Sequence, residues 1–166
     1  MTLSLADHYY LKALNVYDYA IEDTVEYLNY ALSYNPGHAD ANCLMGKLYM
    51  EHLQKFNLAE DHLATAMATE PENIGACECF SQLLINTRRF REALKLIRYA
   101  LKLRGANIPK FLRLEALVHE LRKDYDLSRD VLKQAIEECC DSDFIDFLQK
   151  EMDRVNSKVK KKEQTL

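Results

Sequence analysis

Four alanines, Ala31, Ala66, Ala100 and Ala135, follow one another at intervals of 35, 34 and 35 residues. Three further columns keep step with them. Three residues before each alanine stands a branched aliphatic: Leu28, Leu63, Ile97 and Leu132. Four residues earlier is a small residue: Thr24, Ala59, Ala93 and Ser128. Three earlier again is a large apolar one: Ile21, Phe56, Phe90 and Tyr125. A period of this length restricts the chain to stacked copies of one supersecondary unit. A single unit cannot bury its apolar face, whereas a stack can.

The columns are three and four residues apart, so each set lies on one face of a helix. Upstream of each such helix is a second helical segment of about a dozen residues, and the unit reads as helix, tight turn, helix. The patterns predict helices over about 4–18, 21–34, 39–53, 57–69, 73–86, 90–103, 109–122 and 126–139. Asn35-Pro36-Gly37 and Glu70-Pro71-Glu72 are stops between copies, and Pro109 suits the first turn of the helix it opens. A ninth helix follows over about 142–158. It is expected to be capped by Ser142 and carries Phe144, Leu148, Met152, Val155 and Val159 as one apolar stripe. It reads as the lid that the last hairpin of a stack requires. Lys158, Lys160, Lys161 and Lys162 then begin a basic tail expected over 159–166. The expected organisation is one repeat domain over 1–158, with copies at about 5–38, 39–73, 74–108 and 109–141.

The second copy shows Met45-Gly46 and Tyr49 in its first helix, Phe56, Ala59, Leu63 and Ala66 in its second, and Pro71 at its close. In these residues the chain resembles the tetratricopeptide-repeat family, whose unit has the same period. The resemblance covers about residues 5–140. It is strong in the second helices and weak in the first, for the chain has no Trp and only the second copy keeps the glycine. It implies an all-α, right-handed α-solenoid of four helix-turn-helix repeats with a C-terminal capping helix.

Composition fits that reading. Four Gly and three Pro in 166 residues suit an all-helical chain. No run approaches the length of apolar sequence that a membrane span needs. The N-terminal residues lack the basic flank and apolar core of a secretory signal, so a cytoplasmic location is expected. The five cysteines, with no such signal, point to reduced thiols. Cys77-x-Cys79 invites a metal reading, but residues two apart on a helix diverge, and a role as small buried hydrophobes competes with it. No nucleophile elbow, glycine-rich phosphate loop or H-E-x-x-H is present. Neither catalysis nor a cofactor is expected, and no metal.

The function expected is a scaffold or adaptor that binds proteins. In the family, the first helices of successive copies line a concave groove that receives a peptide or partner helix. The resemblance carries that groove onto Tyr9, Ala13, Val16 and Tyr17 in the first copy, and onto Lys47, Met50 and Glu51 in the second. It continues through Glu78, Gln82, Ile85 and Asn86 in the third and Arg113, Leu117 and Glu120 in the fourth. Tyr9, Ala13 and Tyr17 share a face. Their rings either flank a shallow apolar hollow or pack on the neighbouring helix. The Lys and Asn clamp with which some members hold acidic chaperone tails is not matched: Tyr9, Ala13, Leu44, Gly75 and Cys79 stand in its places.

Charge is divided along the chain. Through residue 87 there are 3 Lys and Arg against 12 Asp and Glu, a net of −9; from residue 88 there are 19 against 14, a net of +5. Arg91, Lys95, Arg98 and Lys102 form one stripe on the second helix of the third copy. It is either a solvated outer face or a seat for an anionic partner, such as an acidic protein surface or a nucleic-acid backbone. The overall pI of about 5.7 and the acidic first half argue against nucleic acid. A secretion-type chaperone is a further alternative. Seven tyrosines crowd the first copy, from Tyr9 to Tyr34, and no lid precedes it. That leaves open a weak homodimer through the first repeat.

Overall fold

The computed structural model describes residues 3–163, with side chains through Lys161. It contains nine helices and no strand among the described residues: α1 Leu5–Val16, α2 Ile21–Tyr34, α3 Ala39–Glu51, α4 Phe56–Thr69, α5 Ile74–Asn86, α6 Phe90–Ala100, α7 Ile108–Leu121, α8 Tyr125–Glu137 and α9 Ser142–Glu163. Ile21, Phe56, Phe90 and Tyr125 are each the first residue of an even-numbered helix. Each is half-buried, as expected of a plug at the mouth of a hairpin. The other three repeat columns are covered throughout, from Thr24 to Ala135. Ser128 shows how a polar member of the small column is accommodated: its hydroxyl donates to the Ala116 carbonyl on α7 at 2.8 Å.

The helices start and stop for local reasons. Ser4 and Asp7 form a capping box on α1, with the Ser4 hydroxyl accepting from the Asp7 N–H and Asp7 accepting from the Ser4 N–H. His38 caps α3 through Nδ1, which accepts from the Ala41 N–H at 3.2 Å. Its Nε2 meets Asp7 Oδ1 at 3.0 Å, so one imidazole joins the caps of two repeats. At α9 the cap is Asp141 rather than Ser142: Asp141 Oδ1 accepts from the Phe144 N–H at 3.0 Å, and Ser142 is already helical. Gln54, Arg88 and Lys123 adopt left-handed backbone, with φ of 53°, 62° and 67°. They follow the first helices of the second, third and fourth copies in the conformation that glycine more often supplies.

The chain divides into two compact units, Met1–Leu83 and Leu84–Leu166, with the boundary inside α5. In a repeat array each element touches mainly its neighbours, so such a boundary can fall within one repeat. In the first unit, Ala13, Tyr17, Leu28, Ala31, Leu44 and Leu48 belong to one buried cluster. A second is built on Met50, Ala59, Leu63 and Leu83. In the second unit Ala116, Leu132 and Ala135 pack with Leu148, Met152 and Val155 of α9. α9 runs through Glu163, past the end expected near residue 158. No Gly or Pro interrupts the lysine run, and lysines in a last turn favour the helix dipole. Residues 159–163 of the expected tail are therefore helical, and the remainder of that tail lies outside the described residues.

Candidate functional site

In the first unit the structure buries Ala13 and Tyr17 and half-buries Tyr9 and Val16, the first-copy residues expected from the resemblance. Ala13 is fully covered and belongs to the cluster that holds Leu28 and Ala31 of α2. Tyr9 also turns to α2, stacking on Tyr34 at 5.8 Å between centroids and lying against Tyr30 at 5.1 Å. The apolar hollow between Tyr9 and Tyr17 is thus filled by the hairpin itself. The reason is register. One small, covered residue lies near the middle of each first helix: Ala13, Gly46, Ser81 and Ala116. They do not keep step with the second-helix alanines, because the hairpins differ in length. Tyr10 and Tyr17 turn instead toward the second copy, where Tyr10 meets His38 and Tyr17 meets His52.

Tyr17 is 6% exposed and forms a floor. Its hydroxyl donates to Glu51 Oε2 at 3.0 Å, and Lys47 Nζ lies 4.9 Å from its ring centroid. Burial, then the bond to the Glu51 carboxylate, raise the phenol well above its ordinary range, so Tyr17 stays a donor at every physiological pH. Leu14 is 47% exposed, and the Lys47 and Glu51 side chains are 39% and 44% exposed. Met50 is buried in the core and Val16 half-buried. Glu78 and Gln82 of α5 are half-buried. Cys43 and Cys79 hydrogen-bond to each other beside this face; that bond and burial raise Cys43, which stays protonated. Cys77 is pushed up to about 11 by burial. These three cysteines therefore behave as covered or half-covered thiols, whereas Cys140 is exposed.

In the second unit the expected site is closed by the chain itself. Arg113 makes a two-pronged pair with Glu151 of α9, at 3.1 and 3.0 Å, and its guanidinium lies 5.4 Å from the Phe147 ring centroid. Glu120 accepts from Arg154 at 2.9 and 2.7 Å and from Lys158 at 2.7 Å. Burial alone would raise the Glu120 carboxyl, but the two cations outweigh it and hold it low. Leu117 is half-buried. Of the third-copy residues, Ile85 is buried and Asn86 exposed. Arg113 and Glu120 are thus engaged by α9, on the face of α7 that the resemblance gives to a groove. α9 opens one repeat period after α7, at Ser142 against Ile108, so it takes the place of a fifth first helix.

The four residues of the basic stripe are all exposed, on α6 and on the turn that ends it. With Leu94, Tyr99 and Arg122 they line a cavity of about 610 Å³. Arg122, at the C-terminal cap of α7, falls outside any stripe read along one helix alone. Among the described residues no group of three His, Cys, Asp or Glu could hold a metal ion, and no helix is long and apolar enough to cross a membrane.

No protein-family profile matches the chain. A search of the curated proteins finds no significant match. Solved structures do match. Pseudomonas aeruginosa PilF superimposes with a TM-score of 0.79 at 17% identity, over 95% of this chain and 70% of that one. PilW, a widely conserved type IV pilus biogenesis factor, gives 0.75 at 13% identity, over 99% and 80%. MamA AMB-1 gives 0.66 at 25% identity, over 81% and 80%. These neighbours are tetratricopeptide-like proteins, and the chain is an all-α repeat protein of tetratricopeptide-type fold.

Proposed function

We propose that the chain is a non-enzymatic scaffold that holds a peptide or partner helix on the face formed by α1 and α3. Its fold is that of interaction proteins, but fold alone does not assign a site. The observation that carries the site is the set of open side chains over a rigid floor. Leu14 offers an apolar contact, Lys47 and Glu51 offer charges of both signs, and Tyr17 beneath them is fixed by its bond to Glu51. A floor held by packing costs little ordering on binding, which favours affinity. The corresponding face of α7 is taken by α9, so the first unit is the place for a foreign segment. Wild-type protein and a Leu14→Glu, Lys47→Glu double variant should be used in parallel to capture partners from the source cell's lysate. The variant should retain its helix content and lose the proteins captured by wild type, since truncated or reversed interface anchors cost about 2 kcal/mol or more. Equal capture by a folded variant removes this face as the site.

A further inference from the structure

We infer that the cavity along α6 is a second binding site, whose ligand is an acidic protein segment carrying an apolar side chain. Arg91, Lys95, Arg98 and Lys102 recur at spacings of four, three and four, so they lie along one narrow face of α6 and its closing turn. Arg122 adds a fifth cation from the end of α7. Like charges at these spacings destabilise a helix. Folding alone gives no reason for them.

Elsewhere in this unit several cations find carboxylates at close range. Arg89 pairs with Glu92, Arg129 with Asp126, Arg113 with Glu151, and Arg154 and Lys158 with Glu120. In the cavity the pairing is poor. Arg98 reaches Glu115 only at 3.9 Å and Arg122 reaches Asp124 at 3.5 Å. Arg91, Lys95 and Lys102 have no ion pair among the described residues. A concavity lined by one sign of charge focuses field and gathers counter-ions.

The lining also has an apolar part. Leu94 is buried beneath the cations, and Tyr99 is 40% exposed. A volume of about 610 Å³ suits a short segment. Carboxylates on the cations and one aliphatic or aromatic side chain on Leu94 and Tyr99 would satisfy both parts. A nucleic-acid strand fits less well. Its affinity comes from a long run of phosphate contacts, and sequence-tolerant strand binding needs several stacking rings. Tyr99 is the single ring in this lining. The net charge of −9 carried by the first half of the chain also disfavours a long polyanion.

The test uses the full chain and fluorescence anisotropy. The probe is a labelled decapeptide of Glu with one central Phe. The comparators are the same peptide with Gly for Phe and an oligo-dT of equal length. Two charge-reversed proteins are compared with wild type: Lys95→Glu, Lys102→Glu in the cavity, and Lys150→Glu, Lys160→Glu on α9, which changes net charge equally. The Glu/Phe peptide should bind wild type and lose about tenfold or more in affinity with the cavity variant, but only about twofold with the control, because exposed charges at a distance are screened. Loss of the Phe should weaken binding several-fold. The inference is overturned by no saturable binding of the Glu/Phe peptide, by equal loss with both variants, or by no effect of the Phe. Oligo-dT binding tighter than the peptide with the same dependence on Lys95 and Lys102 would overturn it in favour of nucleic acid. Self-association of wild type that the cavity variant abolishes would overturn it in favour of the acidic half of a second copy. None of these outcomes depends on Leu14 or Lys47, so the proposed α1–α3 face stands or falls separately.

Discussion

Gly46 lies where α3 and α4 approach each other closely. A Cβ placed on it would lie 2.6 Å from Leu63 Cγ and 3.1 Å from the Ala59 carbonyl oxygen. Leu63 is fully buried and the second contact is backbone, so neither can retreat freely. Gly46→Ala gains about 1 kcal/mol of helix propensity. Overpacking a filled site costs about 1–3 kcal/mol, and the clash should win. Thermal unfolding should show the variant melting several degrees below wild type; an equal or higher melting temperature would show that the two helices can part. The same position holds Ala13, Ser81 and Ala116 in the other first helices, all covered. Burial locates that column, and the sequence does not. There the first helices offer several small residues and no constant one, and Ala13, carried over from the family's pattern as a groove residue, stands in the covered column.

At the scale of the element, α9 shows how a lid can also be a repeat helix. Its apolar stripe is readable from spacing alone, and Leu148, Met152 and Val155 are buried as that stripe requires. Its polar partners are not readable, because Arg113–Glu151 and Glu120–Lys158 are far apart in sequence and join helices whose relative register a pattern does not reveal. Glu120 ties α7 to α9 and supplies a pH dependence. Its carboxyl is held low in the folded state, so the stabilisation is complete above the unfolded carboxyl pKa of about 4.3 and is lost as pH falls through the folded value. Glu120→Gln should cost about 1–3 kcal/mol at pH 7, as expected for hydrogen bonds to charged groups. The difference from wild type should shrink as pH is lowered below about 4, where wild type loses the same charge. Melting curves from neutral to acid pH test this; a gap that stays constant over that range would mean that the ion pairs contribute nothing.

At the scale of the whole molecule, α1 leaves open to solvent positions that α3 covers. Ala41, Leu44 and Leu48 of α3 are covered within the cluster shared with α1 and α2. Their counterparts in α1, in the register that matches Gly46 to Ala13, are His8, Leu11 and Asn15, all exposed. His8 and Asn15 are polar, which adapts α1 to solvent. Leu3, Leu5 and Leu11 nevertheless remain open, with Leu11 at 40% exposure. Of the tyrosines that crowd the first copy, Tyr10 and Tyr27 are half-covered against the core, while Tyr30 stays 45% exposed. We expect a weak homodimer through this end. It should strengthen with salt, because both partners bring the acidic unit and salt screens their repulsion while apolar burial persists. Sedimentation at low and high salt should show the shift. Leu5→Glu with Leu11→Glu should give a monomer in both buffers, and a wild type that is strictly monomeric at high concentration would rule the contact out.

What the amino-acid sequence by itself determined was the number of repeats, the helices and the faces each second helix buries. Those follow from local periodicity: Leu28 and Ala31 must share a side of their helix wherever that helix lies. The tertiary structure decided which first-helix residues stay open, because that depends on how far each helix is displaced against its neighbour. The shorter first hairpin turned Tyr9 and Ala13 inward and left Leu14 outside. The tertiary structure decided also that Arg122 would join the stripe of α6, for the two belong to different helices and meet only where α6 and α7 pack. Periodicity along one helix cannot carry that information; the packing of two helices does.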